Sequence, residues 1–261
     1  MKKLILLAIL TVTLFANDRL NIGTGILPIQ YIINAIGKEK VNTFSILQKA
    51  QDPHIYTPTP KQMISMSKSD IYFSLNLQFE KQWINKIKTI SPNVDFVDLL
   101  AKNYDNPHVW LSVKLIKKIS FTICETLIKH NPTNKLFFQN NHKVFLNQLK
   151  RLNQKITKEL KTSKQHFFLT THPSWGYIAD EYNLTQISIE KDGKEPKIKE
   201  IDTLIKVSKN KNIKTIISSP YEKSKITNII ARQIDATVTY LDPLKYNLYQ
   251  NILLFIKSIN Q

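Results

Sequence analysis

The sequence predicts an α/β protein built as two lobes joined by one long helix. Three observations predict it. Short apolar runs alternate with helical patterns from residue 20 to about 130. The alternation stops over 134–161, a segment with neither Pro nor Gly. It then resumes from 166 to 258. Strands alternating with helices of this length build parallel sheets. A chain of 261 residues, 42% hydrophobic, is long enough for two such lobes and a buried core.

The first sixteen residues stand apart. Met1-Lys2-Lys3 is basic, 4–15 is apolar except for Thr11 and Thr13, and Ala16 precedes Asn17-Asp18-Arg19. That is the layout of a signal peptide over 1–16, although Leu14 is larger than the usual residue three places before a cut. The run is shorter than the ~20 residues a membrane span needs, so cleavage is favoured over a retained anchor. No other stretch is apolar enough to span, and no Cys follows the signal to carry lipid. The expectation is an exported, periplasmic protein, soluble once the signal is removed.

The N-terminal lobe is expected over 17–132. A strand over 20–23 ends at the turn Gly23-Thr24-Gly25, and Gly37 stops the helix over 29–36. A strand over 41–47 follows, then a helix from Pro60 to 68, with proline at the tolerated first position. Next come a strand over 71–75, a helix over 79–90, a strand over 94–99 and a helix over 113–129. Asn131-Pro132-Thr133-Asn134 combines a helix stop with a helix start. The linking helix is placed at 133–162. There Leu136, Phe137, Val144, Leu149, Leu152, Ile156 and Leu160 recur near helical spacing. As one helix of about 28 residues it is a rod ~40 Å long; the alternative is two helices broken near Asn140-Asn141. The C-terminal lobe, 163–261, carries strands over 166–170, 187–190, 213–218 and 238–241. Its helices are expected over 174–182, 196–209, 224–234 and 246–258.

Composition narrows the function. A net charge of +17 invites nucleic acid, but the lysines are scattered singly and in pairs, and beyond Arg19 only Arg151 and Arg232 are arginine. Such scatter is a solvated surface, and no nucleic-acid partner is expected. The single cysteine, Cys124, cannot close an internal disulfide and lies in the apolar stretch 119–127, as a buried small hydrophobe does.

One local pattern recurs three times. Asp52-Pro53-His54-Ile55-Tyr56, Asn106-Pro107-His108-Val109-Trp110 and Thr171-His172-Pro173-Ser174-Trp175 each follow a strand and set a histidine beside a proline. An aromatic comes two or three residues later. In open α/β sheets the carboxyl ends of the strands are where ligands bind. Asp242, before Pro243, follows the strand over 238–241 in the same way. Three imidazoles and a carboxylate suit four-coordinate Zn2+. Asp242 has a second reading, a turn residue that leaves the fourth position to water. The other histidines lack the pattern. His130 ends a helix, where the dipole favours a cation. His142 lies mid-helix among polar residues and is expected to be exposed. His166 opens a strand, within reach of a cleft.

These motifs carry a family resemblance over the mature chain. The run His172-Pro173-Ser174-Trp175-Gly176-Tyr177-Ile178-Ala179 through Tyr182-Asn183-Leu184 is its most specific piece. Glu190 through Gly193-Lys194-Glu195-Pro196, the two N-terminal histidine motifs and Leu241-Asp242-Pro243-Leu244 follow in family order. The sequence resembles the metal-specific solute-binding proteins of bacterial ABC importers, the zinc and manganese group. The resemblance implies two Rossmann-like (βα)4 lobes, a long backbone helix and a metal site in the cleft between the lobes. It assigns His54 and His108 to the N-terminal lobe and His172 and Asp242 to the C-terminal lobe. Manganese-binding members tend to carry Glu where this chain has His172, and a third imidazole turns the preference toward Zn2+. The His-rich loop of many zinc members is absent, since 101–106 is short and has no His. Zn2+ is then cargo rather than catalytic cofactor, and the partner is an inner-membrane ABC permease served by a monomer. Two alternatives stay open: a manganese- or iron-binding member of the same group, and an exported zinc hydrolase. A surface adhesin is a third reading. Against the hydrolase, no H-E-x-x-H spacing supplies a general base.

Overall fold

The computed structural model describes residues 19–48, 53, 56–100, 104–191, 193–222 and 224–260. The expected signal peptide, 1–16, lies outside them. In the first half the elements are β1 (Leu20–Thr24), α1 (Leu27–Gly37), β2 (Val41–Ser45), α2 (Pro60–Ser67), β3 (Ile71–Ser74), α3 (Gln78–Lys81), α4 (Ile84–Ile90), β4 (Asp95–Asp98) and α5 (Val113–His130). The long α6 (Lys135–Lys161) follows. The second half holds β5 (Phe167–Thr170), α7 (Gly176–Glu181), β6 (Thr185–Ser188), α8 (Ile198–Asn210), β7 (Thr215–Ser218), α9 (Lys225–Ile234), β8 (Thr237–Tyr240) and α10 (Leu248–Ile259).

The strands form two four-stranded sheets, ordered β2-β1-β3-β4 and β6-β5-β7-β8. Every pairing is parallel. The α/β class and the two sheets are therefore as expected. All four residues of β3 and of β7 are buried, as inner strands covered by helices on both faces must be. Edge strands β4 and β8 carry the polar residues Asp95, Asp98, Thr237 and Thr239 instead.

Helix starts follow local chemistry. At α2, Thr59 accepts the Gln62 N–H while the Gln62 side chain accepts from the Thr59 backbone N–H, and Pro60 opens the helix. Ser112, Ser224 and Asn247 cap α5, α9 and α10 through their side-chain oxygens. The helix expected over 79–90 is broken. Trp83 sits at φ −130°, ψ −14°, outside helical geometry. Its buried ring packs on Tyr72 at 5.9 Å and on Phe79 at 6.3 Å, and this packing overrides the local helical pattern. The strand expected over 187–190 lies two residues earlier, where Thr185–Ser188 pairs in register with Phe167–Thr170.

α6 is one unbroken helix of 27 residues. Phe138, Phe145, Leu149, Leu152 and Ile156 form its buried stripe, and the helix packs against α1, α5 and α10. Helices of both halves thus lie on one rod. One apolar cluster runs from Ile22, Ile29 and Phe73 through Leu149 to Phe168, Trp175 and Phe255. A smaller cluster, around Leu169, Ile216 and Ile230, fills the other face of the second sheet. No described helix is long and apolar enough to cross a membrane.

Candidate metal centre

The His108 loop leaves β4 and is anchored by burial. Val109, Trp110 and Leu111 form a buried 3-10 turn, and Trp110 Nε1 donates to the Pro243 carbonyl at 2.8 Å. The side chain of Asn106 folds back over two residues. Its Oδ1 accepts the His108 backbone N–H at 3.0 Å and meets the ring Nδ1 at 2.6 Å. A carbonyl oxygen only accepts, so Nδ1 carries the proton and Nε2 the lone pair.

The His172 loop leaves β5 through Thr171, which is fully buried and hydrogen-bonded to Thr227 at 3.1 Å. Ser174 N–H closes on the His172 carbonyl at 2.8 Å. Beyond it Trp175 stacks face to face on Phe255, with centroids 4.2 Å apart. His172 Nδ1 lies 3.1 Å from Glu190 Oε2. Glu190 is itself pinned, because its N–H donates to the Thr171 carbonyl at 2.9 Å. The carboxylate accepts a hydrogen bond from Nδ1–H, which turns Nε2, shielded from solvent, toward the cleft as the ligating atom.

The two rings meet across the lobes, with centroids 5.2 Å apart and planes at 70°. Two imidazoles bound to one Zn2+ through bonds of about 2.0–2.1 Å at a tetrahedral angle place their centroids roughly 5 Å apart. The pair is therefore spaced for a shared ion.

The remaining predicted positions stand differently. His54 and Asp52 lie outside the described residues. Tyr56, just beyond, packs on Phe79 at 6.2 Å and donates to Gln62 at 2.8 Å. Asp242 Oδ1 accepts the Leu244 N–H at 2.8 Å, a turn bond. Burial pushes its carboxyl above the usual range, and the Leu244 N–H and the Lys245 charge offset this in part. Among the described residues, no group of three or more His, Cys, Asp or Glu is arranged to hold a metal. The described part of the site is thus the His108–His172 pair with its two acceptors.

His130 closes α5 and bonds Asp95 at 2.8 Å, a contact that holds the Asp95 carboxyl below its ordinary range. His142 is half-buried against Ser120 at 3.0 Å rather than exposed, and burial lowers its pKa. His166 precedes the first residue of β5, so it lies at the amino edge of the sheet, opposite the edge that carries His172. Cys124 is buried, and burial pushes its thiol up to about 11. Asn106 is the residue at this pair that the motif reading left without a role. Its signal was in the spacing, since an Asn two residues before a turn residue commonly bonds forward to that residue's N–H.

A family model described as "ZnuA: Zinc-uptake complex component A periplasmic" matches residues 22–253. A high-affinity zinc uptake system protein ZnuA of Bacillus subtilis is 24% identical over 254 residues, covering 87% of this chain and 79% of its own. A crystal structure of ZnuA superposes with a TM-score of 0.88 at 33% identity, covering 93% of this chain and 98% of the other. A zinc-bound ZnuA with residues 138–173 deleted gives 0.87 at 32% identity, covering 94% and 99%.

Proposed function

We propose a function that proceeds from one premise: this chain belongs to the family of the periplasmic component A of zinc-uptake complexes. It is a zinc-binding solute-binding protein of an ABC importer, a transport component and not an enzyme. Zn2+ is its cargo. The manganese and hydrolase readings are accordingly not favoured.

The ligand set is our assignment. His108 and His172 hold the ion through Nε2, His54 supplies the third imidazole, and Asp242 closes the tetrahedron. The observation that carries it is the facing pair 5.2 Å apart, each ring with Nδ1 tied to an oxygen. Asn106 and Glu190 each hold an Nδ1–H before the ion arrives, so neither ring has to reorient for Nε2 to bind. Three neutral nitrogens favour Zn2+ over the oxygen-preferring Mn2+. Export through cleavage at 1–16, a monomeric state, the lobe boundaries 17–132 and 163–261 and delivery to an inner-membrane permease belong to the same proposal.

Calorimetry of the metal-stripped protein with Zn2+ and Mn2+ tests it. Wild type should take up one Zn2+ more tightly than Mn2+. His172→Ala should bind Zn2+ at least tenfold more weakly, and Asp242→Ala should lose less. Equal binding by wild type and His172→Ala would end this ligand set.

A further inference from the structure

The segment that carries His108 belongs by sequence to the first half, yet its hydrogen bonds reach into the second. Asn106 Nδ2 donates to the Pro173 carbonyl at 3.3 Å, and Tyr177 Oη donates to the Asn106 carbonyl at 2.8 Å. Trp110 Nε1 reaches Pro243 at 2.8 Å. Glu181 of α7 accepts from Ser112 Oγ at 2.9 Å and from the Lys114 N–H at 3.1 Å, at the start of α5. Both flanks of His108 are thus tied to the half that carries His172.

Asn106 is the residue common to both loops. Its Oδ1 receives His108 Nδ1, and its Nδ2 holds the carbonyl next to His172. The surroundings are shaped for that amide. A Cβ at Gly176 would stand 3.1 Å from Asn106 Nδ2, so the glycine leaves it room. An aspartate could accept from His108 but could not donate to Pro173.

We infer that Asn106 is a positioning residue that couples the two lobes at the metal. One planar amide sets the His108 tautomer and, through its other end, the distance from His108 to the His172 loop. His108 and His172 then form a preassembled half-site. The inference rests on the ligand assignment proposed above.

The test compares Asn106→Asp, which keeps the acceptor and removes the donor, with Asn106→Ala, which removes both. Tyr177→Phe, one hydroxyl lighter, is a mild third variant should either of these fold poorly. Two readouts use metal-free protein: ring 15N shifts of His108, and amide hydrogen exchange over 174–182. The third is Zn2+ affinity by chelator competition. Asn106→Asp should keep the Nδ1–H tautomer but exchange faster over 174–182. Asn106→Ala should lose both and bind Zn2+ about 10–100-fold more weakly, the usual cost of an outer-shell partner. Tyr177→Phe should exchange faster with the tautomer unchanged. Wild-type exchange in Asn106→Asp, or wild-type affinity in Asn106→Ala, would overturn the coupling. Failure of wild type to bind Zn2+ would instead sink the functional reading, while the metal-free readouts would still decide the coupling.

Discussion

Glu190, half-buried, and Glu80, fully buried, show how much a carboxylate can do at single-residue scale. Glu190 is the only described side chain with a carboxylate at His172 Nδ1. Glu190→Ala should weaken Zn2+ binding about 10–100-fold by calorimetry, with the fold intact by circular dichroism. Glu80 lies far from solvent and accepts four hydrogen bonds, from Tyr72 Oη, Ser74 Oγ and the N–H groups of Leu75 and Leu77. Burial pushes its carboxyl up to about 7, and those donors pull the other way. The folded state therefore binds a proton more readily than the unfolded chain. The resulting stability is full below the ordinary carboxylate value and is lost as pH rises through about 7. In Glu80→Gln that pH-dependent part should vanish. Urea unfolding at pH 5 and pH 8 should show wild type losing stability relative to the variant by on the order of 1–3 kcal/mol. A constant difference between the two proteins would refute this. The histidine motifs were legible because proline and chain position announce them. Glu190 was legible as a residue supporting the ligands, but Asn106 was harder to read, because a hydrogen bond between loops depends on where two separate strands end.

At the scale of elements, α6 was legible because 135–161 has no Pro, no Gly and one apolar stripe, which outweigh the break offered by Asn140-Asn141. The split between α3 and α4 was not legible. Its cause is a tertiary contact, Trp83 turned onto Tyr72 and Phe79, which leaves no local signature. The shift of β6 has a similar origin, since register in a parallel pair is set by the neighbour as well as by the strand's own apolar residues. The stripe of α6 gives a direct test. Leu149, 1% exposed, faces the packed helices, and Leu149→Ala should cost about 2–5 kcal/mol in a denaturant melt. Lys150→Ala, one position on and exposed, should change little.

Across the whole molecule, the rod and the cross-lobe hydrogen bonds limit how far the cleft can open. Small-angle scattering curves of metal-free and Zn2+-loaded protein should superimpose, and a marked compaction would contradict this. The apolar cluster that runs from Ile22 to Phe255 without a break has a further consequence. Two lobes that share a core have little means of melting separately. Heating should give one calorimetric transition, with equal van't Hoff and calorimetric enthalpies. An ion bound only to the folded form raises the stability of the whole by about 4 kcal/mol at a thousand times its dissociation constant. The melting temperature of the entire chain then becomes a thermometer for the occupancy of a single cleft.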